Sequence, residues 1–228
     1  IMEAVMIKGC IFDLDGTLID TVEGITIAAN KYLSSRNIPF VYSRDDIESF
    51  IGNGAPLLFK RMMKNYEYNE NDYQEFLTFY RDNQKYSKVY PEVVSSLKVL
   101  ISRGYSLFIL SNKPDSLLQI LIKELLSEIN FKYIQGQDNK YPTKPDVTLL
   151  NEKIINNFDL DPNEGYYVGD SYVDVLTGQN AKLKSIFVTY GYGDYQKAMS
   201  YKPDYIIDKF KDILEIVKWV KKKNYYLD

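Results

Sequence analysis

Short, mostly apolar runs that end at a polar residue or a glycine recur along the chain. They cover residues 7–12, 105–110, 165–168, 185–188 and 205–207. Short apolar runs between polar boundaries are typical of buried strands in a parallel sheet. The hydrophobic pattern therefore predicts several short strands that are far apart in sequence.

Helical periodicity fills much of the chain between these runs. Apolar residues there recur at spacings of three and four, which places them on one face of a helix. The stripes comprise Val93, Val94, Leu97, Leu100 and Ile101; Val147, Leu150, Ile154 and Phe158; and Phe210, Ile213, Leu214 and Val217. Strands that alternate with helices predict an α/β fold, a doubly wound, Rossmann-like parallel sheet.

The stretch 20–86 interrupts this alternation. It contains no convincing strand, and it is much longer than an ordinary connection of a few residues. Its helical-looking segments are residues 25–33, 57–63 and 73–80. We therefore predict a small helical domain at 20–86, inserted into an α/β core domain made of 1–19 and 87–228.

The charge balance narrows the class of partner. The 228 residues contain 28 Lys and Arg against 31 Asp and Glu, a net charge of −3. General nucleic-acid binding needs a concentrated basic face, so we expect no nucleic-acid partner. No apolar stretch reaches the roughly 20 residues of a membrane helix, so we expect no membrane partner. We also expect no secretory signal peptide, and we interpret the lysines at 221–223 as a solvated helix end.

Cysteine and histidine usage excludes several kinds of chemistry. Cys10 is the single cysteine, so it cannot form an internal disulfide, and it lies in an apolar run. We expect a buried thiol and a reducing, cytoplasmic location. The chain contains no histidine, which excludes histidine general bases, histidine-ligated zinc and Ser-His-Asp triads.

Polar residues follow three of the predicted strands. Asp13, Ser111 and Asp170 occupy these positions. Since ligands bind at the carboxyl ends of strands in open α/β sheets, we expect the three side chains to converge. Asp15 comes two residues after Asp13, and Gly16 allows the chain to turn so that both carboxylates face one site. An Asp-Gly turn that merely ends a strand is the structural alternative.

Asp170 and Asp174 stand near the start of a predicted helix. Their spacing of four places them on one helix face. Helix capping is the structural alternative, with Asp170 as the N-cap and Asp174 as a first-turn acid. Together with Asp13 and Asp15 they would repel strongly, and a hard divalent cation with oxygen ligands resolves such repulsion. Mg²⁺ fits this site, which contains neither histidine nor cysteine.

Lys144 precedes Pro145 and a predicted helix. Its ammonium could neutralise a nucleophilic carboxylate and a phosphate oxygen together. The structural alternative is a surface lysine that precedes a helix with proline in its first turn.

Four ordered groups of these residues resemble the motifs of the haloacid dehalogenase superfamily. The groups are Asp13-Leu14-Asp15-Gly16-Thr17, Ser111-Asn112-Lys113, Lys144-Pro145, and Gly169-Asp170 with Asp174. The resemblance spans essentially the whole chain, and the helical insert resembles the cap domain of that superfamily. It implies a Rossmann-like core with a cap over the active site.

The resemblance also implies roles in phosphoryl transfer. Asp13 would be the nucleophile that forms an aspartyl-phosphate, and Asp15 would act first as general acid and then as base. Ser111 and Asn112 would bind the phosphoryl group. Lys144 would steady both the nucleophile and the phosphate.

A metal site follows from the same resemblance. Mg²⁺ would be bound by Asp13, Asp170 and the backbone carbonyl of Asp15. Asp174 would lie behind these ligands and orient the active-site lysine or a metal-bound water. Thr17 would also support the site from behind the ligands.

Further features of the resemblance point towards one subfamily. Asp15 favours phosphoryl transfer, because dehalogenases of the superfamily lack a carboxylate there. Residues 51–56 and 189–193 resemble segments of phosphoglycolate phosphatases, the first being similar to their cap loop. Gly52, Asn53 and Gly54 would then offer backbone donors to a substrate carboxylate, and a plain turn between helices is the structural alternative. Arg61 is either a further carboxylate ligand or a solvated helix residue.

We therefore predict a Mg²⁺-dependent phosphatase of a small phosphorylated metabolite, similar to phosphoglycolate phosphatase and present as a monomer or homodimer. A pyrophosphatase, a nucleotide phosphatase or a sugar-phosphate phosphatase of the same family are alternatives. Less favoured are a phosphomutase and a catalytically inactive binding protein. The missing histidine argues against β-phosphoglucomutase, which has one early in its cap.

Overall fold

Parallel strands form the centre of the protein. The computed structural model describes residues 6–218, so the chain start and the lysines at 221–223 lie outside the described residues. In the described part, six strands form one parallel sheet and two short strands form an antiparallel ribbon. The strands are β1 (Ile7–Phe12), β2 (Ile19–Asp20), β3 (Lys88–Val89), β4 (Ser106–Pro114), β5 (Phe131–Gln137), β6 (Leu160–Gly169), β7 (Lys184–Val188) and β8 (Tyr205–Ile207).

Helices pack on both faces of the sheet and make up the insert. A π-helical turn, Asn151–Ile155, continues directly from α7. Within residues 6–218 the helices are α1 (Val22–Ser35), α2 (Arg44–Glu48), α3 (Ala55–Met63), α4 (Glu70–Asn83), α5 (Val93–Ser102), α6 (Asp115–Leu125), α7 (Thr148–Leu150), α8 (Tyr172–Asn180), α9 (Tyr195–Ser200) and α10 (Ile213–Ile216). None of them combines the length and the apolar character needed to cross a bilayer.

The strand β1 lies inside the sheet and is buried on both faces. The strand order is β5-β4-β1-β6-β7-β8, so β1 lies between β4 and β6. Alternate residues of β1 enter different hydrophobic clusters, with Cys10 and Phe12 on one face and Ile11 on the other. Burial on both faces is what the continuous apolar runs predict. The predicted α/β doubly wound parallel sheet is confirmed.

The insert has a hydrophobic cluster largely of its own. Tyr32 of α1 is completely buried there and makes edge contacts with Phe59 of α3 and Phe76 of α4. We call α1–α4 the cap and the sheet with its remaining helices the core. The ribbon of β2 and β3 carries the chain out of the core and back, because Ile19 pairs with Val89 and Asp20 with Lys88.

Some elements differ from the hydrophobic pattern. The strand β5 and the helix α6 were not predicted; β5 is an edge strand in which Lys132 and Gln135 interrupt the apolar residues. The strand β4 continues to Pro114, so Ser111 lies within it rather than after it. The stripe at 147–158 forms one short helix and a π-helical turn instead of a continuous helix.

Candidate active site

Asp13 and Asp15 lie in the turn that follows β1. The N–H of Asp13 donates to the Val168 carbonyl of β6 at 2.9 Å, which extends the sheet by one residue. The chain then turns at Gly16, which has a φ of +81°. The turn places both carboxylates at one cleft.

Gly16 satisfies two constraints at once. Its positive φ is one that L side chains rarely adopt. A Cβ atom at this position would also lie 2.3 Å from Oδ2 of Asp170, far closer than atoms can pack. Glycine therefore allows the turn that follows β1 to approach the carboxylate that follows β6.

Lys144 is buried between two carboxylates. Its Nζ lies 3.0 Å from Oδ1 of Asp13 and 2.7 Å from Oδ1 of Asp174, and 4% of its side chain is exposed. The alternative of a surface lysine is therefore wrong. Burial disfavours the ammonium charge, but Asp13 and Asp174 outweigh it and raise the pKa of Lys144 well above its ordinary value. Lys144 is consequently charged at neutral pH.

The side-chain amide of Asn112 holds the backbone of Lys144. Its Oδ1 accepts from the Lys144 N–H at 2.8 Å, and its Nδ2 donates to the Lys144 carbonyl at 3.3 Å. The side chain thus positions the lysine, and the phosphate contact predicted for Asn112 stays a prediction. Ser111 is buried beside it and lines the cleft. Its Oγ accepts from the N–H of Lys113 at 3.2 Å, which leaves the hydroxyl proton for an acceptor in the cleft.

Backbone donors hold the carboxylate of Asp170. Its Oδ2 accepts from the N–H groups of Tyr192 at 2.6 Å and Gly193 at 3.2 Å. The hydroxyl of Thr17 lies 3.5 Å from Oδ1. The N-cap of α8 is Ser171, so the alternative in which Asp170 caps the helix is wrong. Asp170 precedes the helix and is directed to the cleft instead.

Asp174 links the helix start to the lysine. Its Oδ2 accepts from the N–H of Ser171 at 3.1 Å and from the hydroxyl of Ser171 at 2.7 Å. Its Oδ1 accepts from Lys144. Asp174 is the third residue of α8. One of its oxygens caps the N-terminus of that helix, and the other orients the lysine.

The carboxylates of this site face one another. Asp13, Asp170 and Asp174 each offer an oxygen, and these atoms lie within 4.8 Å of one another. Burial and the neighbouring carboxylates raise the pKa of Asp170 well above its ordinary value. Burial likewise raises the pKa of Asp13 to about 6, although Lys144 opposes the shift. The arrangement therefore favours the binding of a cation.

The carboxylates of Asp13 and Asp170 are the candidate ligands for a cation. Oδ1 of Asp13 is buried, and its 3.0 Å contact with Nζ of Lys144 lacks the angles of a hydrogen bond. Asp174 is engaged by Lys144 and Ser171 and does not line the cleft in the described part of the chain, whereas Asp13 and Asp170 both line it. An all-oxygen donor set of this kind suits a hard divalent ion such as Mg²⁺.

The structure brings into the site three side chains for which we had predicted no role. Nζ of Lys113 lies 3.0 Å from Oδ1 of Asp15 and also contacts the hydroxyl of Tyr80 in α4. The hydroxyl of Thr21 donates to the same Asp15 oxygen at 2.6 Å. The position of Lys113 two residues after Ser111 is a usable signal, whereas Tyr80 reaches the site only through the packing of the cap.

The cap covers the cleft with apolar side chains and a glycine-containing loop. The cleft has an empty volume of about 550 Å³ with its open mouth included. The cap residues that line it are Ile25, Ile51, Gly52, Gly54, Ala55, Leu58 and Tyr80. A Cβ atom on Gly54 would lie 3.2 Å from the Asn112 carbonyl, so the loop closely approaches the core.

Arg61 stabilises this loop from behind. Its Nη1 donates to the Phe50 carbonyl at 2.8 Å, and its Nη2 donates to Oδ1 of Asn53 at 3.3 Å. In the described part of the chain, neither Arg61 nor Asn53 lines the cleft. The loop joins α2 to α3, as a turn between helices would, while Gly52 and Gly54 face the cleft. Their contact with a substrate stays a prediction.

The order and geometry of these motifs agree with a family match. Residues 10–188 match the model of the haloacid dehalogenase-like hydrolases. The chain belongs to this family. The predicted family is thereby confirmed, as is the predicted enzyme class, a phosphoric monoester hydrolase.

Curated members of the haloacid dehalogenase-like hydrolases resemble the chain over most of its length. It is 31% identical over 211 residues to phosphoglycolate phosphatase 1 of Pseudomonas aeruginosa. The aligned region covers 89% of this chain and 77% of that protein. The chain is also 31% identical over 212 residues to phosphoglycolate phosphatase of Aquifex aeolicus, with coverages of 91% and 95%.

A solved structure of the family has the same architecture. The crystal structure of a predicted phosphoglycolate phosphatase from Haemophilus somnus superposes with a TM-score of 0.84 at 28% identity, covering 95% of this chain and 100% of that one. The insert and the core therefore occur together in a solved member of the haloacid dehalogenase-like hydrolases.

Proposed function

We propose that the protein is a Mg²⁺-dependent phosphatase of a small phosphorylated metabolite, that it works through an aspartyl-phosphate, and that phosphoglycolate is its best substrate. The observation that carries the proposal is the position of Asp13. Its carboxylate lies 3.0 Å from Nζ of Lys144, faces Asp170 and lines the same cleft as Asp15. The relatives named phosphoglycolate phosphatase support the choice of substrate.

The first step transfers the phosphoryl group to the protein. A carboxylate oxygen of Asp13 attacks phosphorus, and the bond between phosphorus and the ester oxygen breaks. Asp15 gives a proton to that oxygen, which leaves as an alcohol. Lys144 neutralises charge on both Asp13 and the phosphoryl oxygens, because it is buried, charged and within contact distance of the nucleophile.

The second step regenerates the nucleophile. Asp15, now a carboxylate, takes a proton from water, and the water oxygen attacks the phosphorus of the aspartyl-phosphate. The bond between phosphorus and the Asp13 oxygen breaks, and inorganic phosphate leaves. Ser111 donates its hydroxyl proton to a phosphoryl oxygen in both steps.

The metal would be held by Asp13, Asp170 and the backbone carbonyl of Asp15. The fit is supported by the closeness of the Asp13 and Asp170 carboxylates, which offer oxygens within 4.8 Å of each other, and by the backbone donors that fix Asp170. When bound, Mg²⁺ supplies positive charge that offsets the repulsion between an anionic nucleophile and an anionic substrate.

The cap loop supports a substrate with a carboxylate close to its phosphate. Gly52 and Gly54 line the cleft, and glycine exposes backbone N–H groups to an anion without a side chain in between. Ile25 and Leu58 line the remaining cap side, which suits a leaving group with few polar atoms.

A substrate panel tests the proposal. We expect release of inorganic phosphate from phosphoglycolate to exceed that from pyrophosphate, nucleoside monophosphates and sugar phosphates by at least about tenfold in kcat/KM, or about 1.4 kcal/mol. Asp13→Asn should abolish turnover while the circular dichroism spectrum is retained, and the exposed Lys98→Met should match the wild type. A different preferred ester would contradict the substrate alone. Near-normal turnover by Asp13→Asn would contradict the mechanism.

We also propose a cytoplasmic location and a monomeric or homodimeric state. The location is supported by Cys10, a free and fully buried thiol whose pKa burial raises, since such a cysteine needs no oxidising compartment. Size-exclusion chromatography with light scattering would determine the oligomeric state.

A further inference from the structure

Lys113 is a buried cation that the mechanism above does not use. Only 1% of its side chain is exposed, and its Nζ contacts Oδ1 of Asp15 and the hydroxyl of Tyr80. The ammonium also lies 4.2 Å from the centre of the Tyr80 ring, at a distance typical of cation–π contacts. Burying an ammonium is costly even when it is paired, so stability alone is a weak reason for its presence.

The contacts of Asp15 show what this lysine does locally. Lys113 Nζ at 3.0 Å and Thr21 Oγ1 at 2.6 Å both bind Oδ1 of the carboxylate. In residues 6–218 these are the hydrogen bonds made by the Asp15 side chain. Two donors, one just before α1 and one in β4, hold one oxygen in place, which leaves Oδ2 as the oxygen free to exchange a proton.

Tyr80 connects this arrangement to the cap. It lies on α4, whereas Lys113 lies near the end of β4, so their contact joins the cap to the core beside the cleft. Gln84, just after α4, makes a second connection by donating to the Leu117 carbonyl at 2.9 Å. The position of the lysine ammonium therefore depends on where the cap lies.

We propose that Lys113 is a positioning residue for the acid/base carboxylate of Asp15, and that Tyr80 makes this positioning depend on the cap. The inference rests on the proposed function, because it assumes that Asp15 exchanges the proton. Lys113 acts through Asp15 and touches neither phosphorus nor the leaving oxygen.

The leaving group provides a specific test. An ester whose alcohol is a weak acid needs a proton on its oxygen as the bond to phosphorus breaks, so it depends on a correctly placed Asp15. An ester with an acidic phenol leaves as the anion and depends on Asp15 much less. A misplaced Asp15 therefore slows phenyl phosphate more than p-nitrophenyl phosphate, although the two esters have nearly the same shape.

The experiment measures kcat/KM for both esters in the intact, Mg²⁺-loaded enzyme, because this constant reports the steps up to departure of the phenol. We expect Lys113→Met to lower kcat/KM about tenfold more for phenyl phosphate than for p-nitrophenyl phosphate. Tyr80→Phe, which keeps the ring and removes the hydroxyl, should show a smaller selective loss of about threefold. Lys98→Met, a change at an exposed lysine on α5, should leave the ratio of the two esters unchanged.

Each other outcome overturns a defined part of the inference. Equal losses for both esters in Lys113→Met would mean a general structural role. If Lys113→Met leaves both aryl esters unaffected but raises the KM of phosphoglycolate, assayed in parallel, Lys113 binds the substrate carboxylate instead. A selective loss in Lys113→Met without one in Tyr80→Phe would overturn the link to the cap. If Lys113→Met does not fold, an unchanged ratio in Tyr80→Phe overturns the whole inference. A wild-type protein that hydrolyses no ester would overturn the proposed function instead.

Discussion

At the scale of single residues, a glycine at position 16 allows the turn after β1 to approach the carboxylate of Asp170. Gly16 has a φ of +81°, and a Cβ there would lie 2.3 Å from Oδ2 of Asp170. Gly104, in the turn between α5 and β4, has a similar φ of +86° but no neighbouring atom within 4 Å of a Cβ. The two glycines therefore separate the cost of backbone strain from the cost of a steric clash.

We predict that Gly104→Ala costs about 1 kcal/mol of unfolding free energy, from strain alone. Gly16→Ala should cost at least about 2 kcal/mol, because the backbone or Asp170 must also move. It should also lower kcat/KM by at least tenfold, whereas Gly104→Ala should leave it unchanged. Urea unfolding and phosphate-release assays measure both quantities. Equal costs for the two variants would show that the clash at Gly16 relaxes freely.

At the scale of elements, Tyr192 ties the ribbon of β2 and β3 to the loop that follows β7. The Tyr192 hydroxyl donates to Oδ1 of Asp20 at 2.8 Å and accepts from the N–H of Thr21 at 2.7 Å. The backbone N–H of the same tyrosine donates to Asp170. Asp20 in turn pairs with Arg44 of α2 at 2.9 Å. A single residue, through its side chain and its backbone, thus connects the entrance to the cap with the carboxylate proposed to hold the metal.

Removing the hydroxyl should loosen this connection. Tyr192→Phe leaves the buried N–H of Thr21 without its partner, which we expect to cost about 1–3 kcal/mol. Amide hydrogen exchange should accelerate at the start of α1 and in β2, while the strands β1 and β6 retain their protection. Tyr195→Phe, at an exposed tyrosine on α9, is a matched control. Uniform acceleration throughout the sheet would contradict a local role.

At the scale of the whole molecule, the sheet brings distant parts of the chain to one site. Asp13, Ser111 and Asp170 come from three adjacent strands or their ends and line one cleft. Burial and the neighbouring carboxylates raise the pKa of Asp13 to about 6 and also raise the pKa of Asp170 well above its ordinary value. A bound cation should therefore stabilise the entire fold.

We predict that Mg²⁺ raises the melting temperature and that EDTA reverses the effect. A ligand present at 100 times its Kd adds about 2.7 kcal/mol to the stability of the native state. For a chain of this size that corresponds to a rise of roughly 5–10 °C. Asp170→Asn should abolish most of the rise, while Asp138→Asn, outside the cleft, should retain it.

Ca²⁺ should bind but inhibit turnover, because it prefers more ligands at longer distances. Turnover with Ca²⁺ equal to that with Mg²⁺ would contradict a site that selects Mg²⁺ by its ligand number and distances.

The sequence by itself determined the parts of the protein that depend on neighbouring residues. Continuous apolar runs predict buried strands because a parallel sheet is covered on both faces. The turn can be predicted because Gly16 directly follows Asp15, and its conformational freedom lets the chain turn so that Asp13 and Asp15 both face one site. The order of the motifs was sufficient for the family, since each motif is a short local string.

The tertiary structure decided which of these groups meet. The sequence allowed Lys144 to be a surface residue and Asp170 to be a helix N-cap. Both alternatives are wrong, because the burial of these side chains and their partners are set only when the strands assemble into the sheet. Tyr80 and Lys113 are 33 residues apart in the sequence, so no local sequence pattern predicts their contact. The edge strand β5 escaped prediction because one face is half-exposed and its apolar residues are interrupted. Contacts between distant residues depend on how the cap packs against the core, and this is a property of the folded molecule.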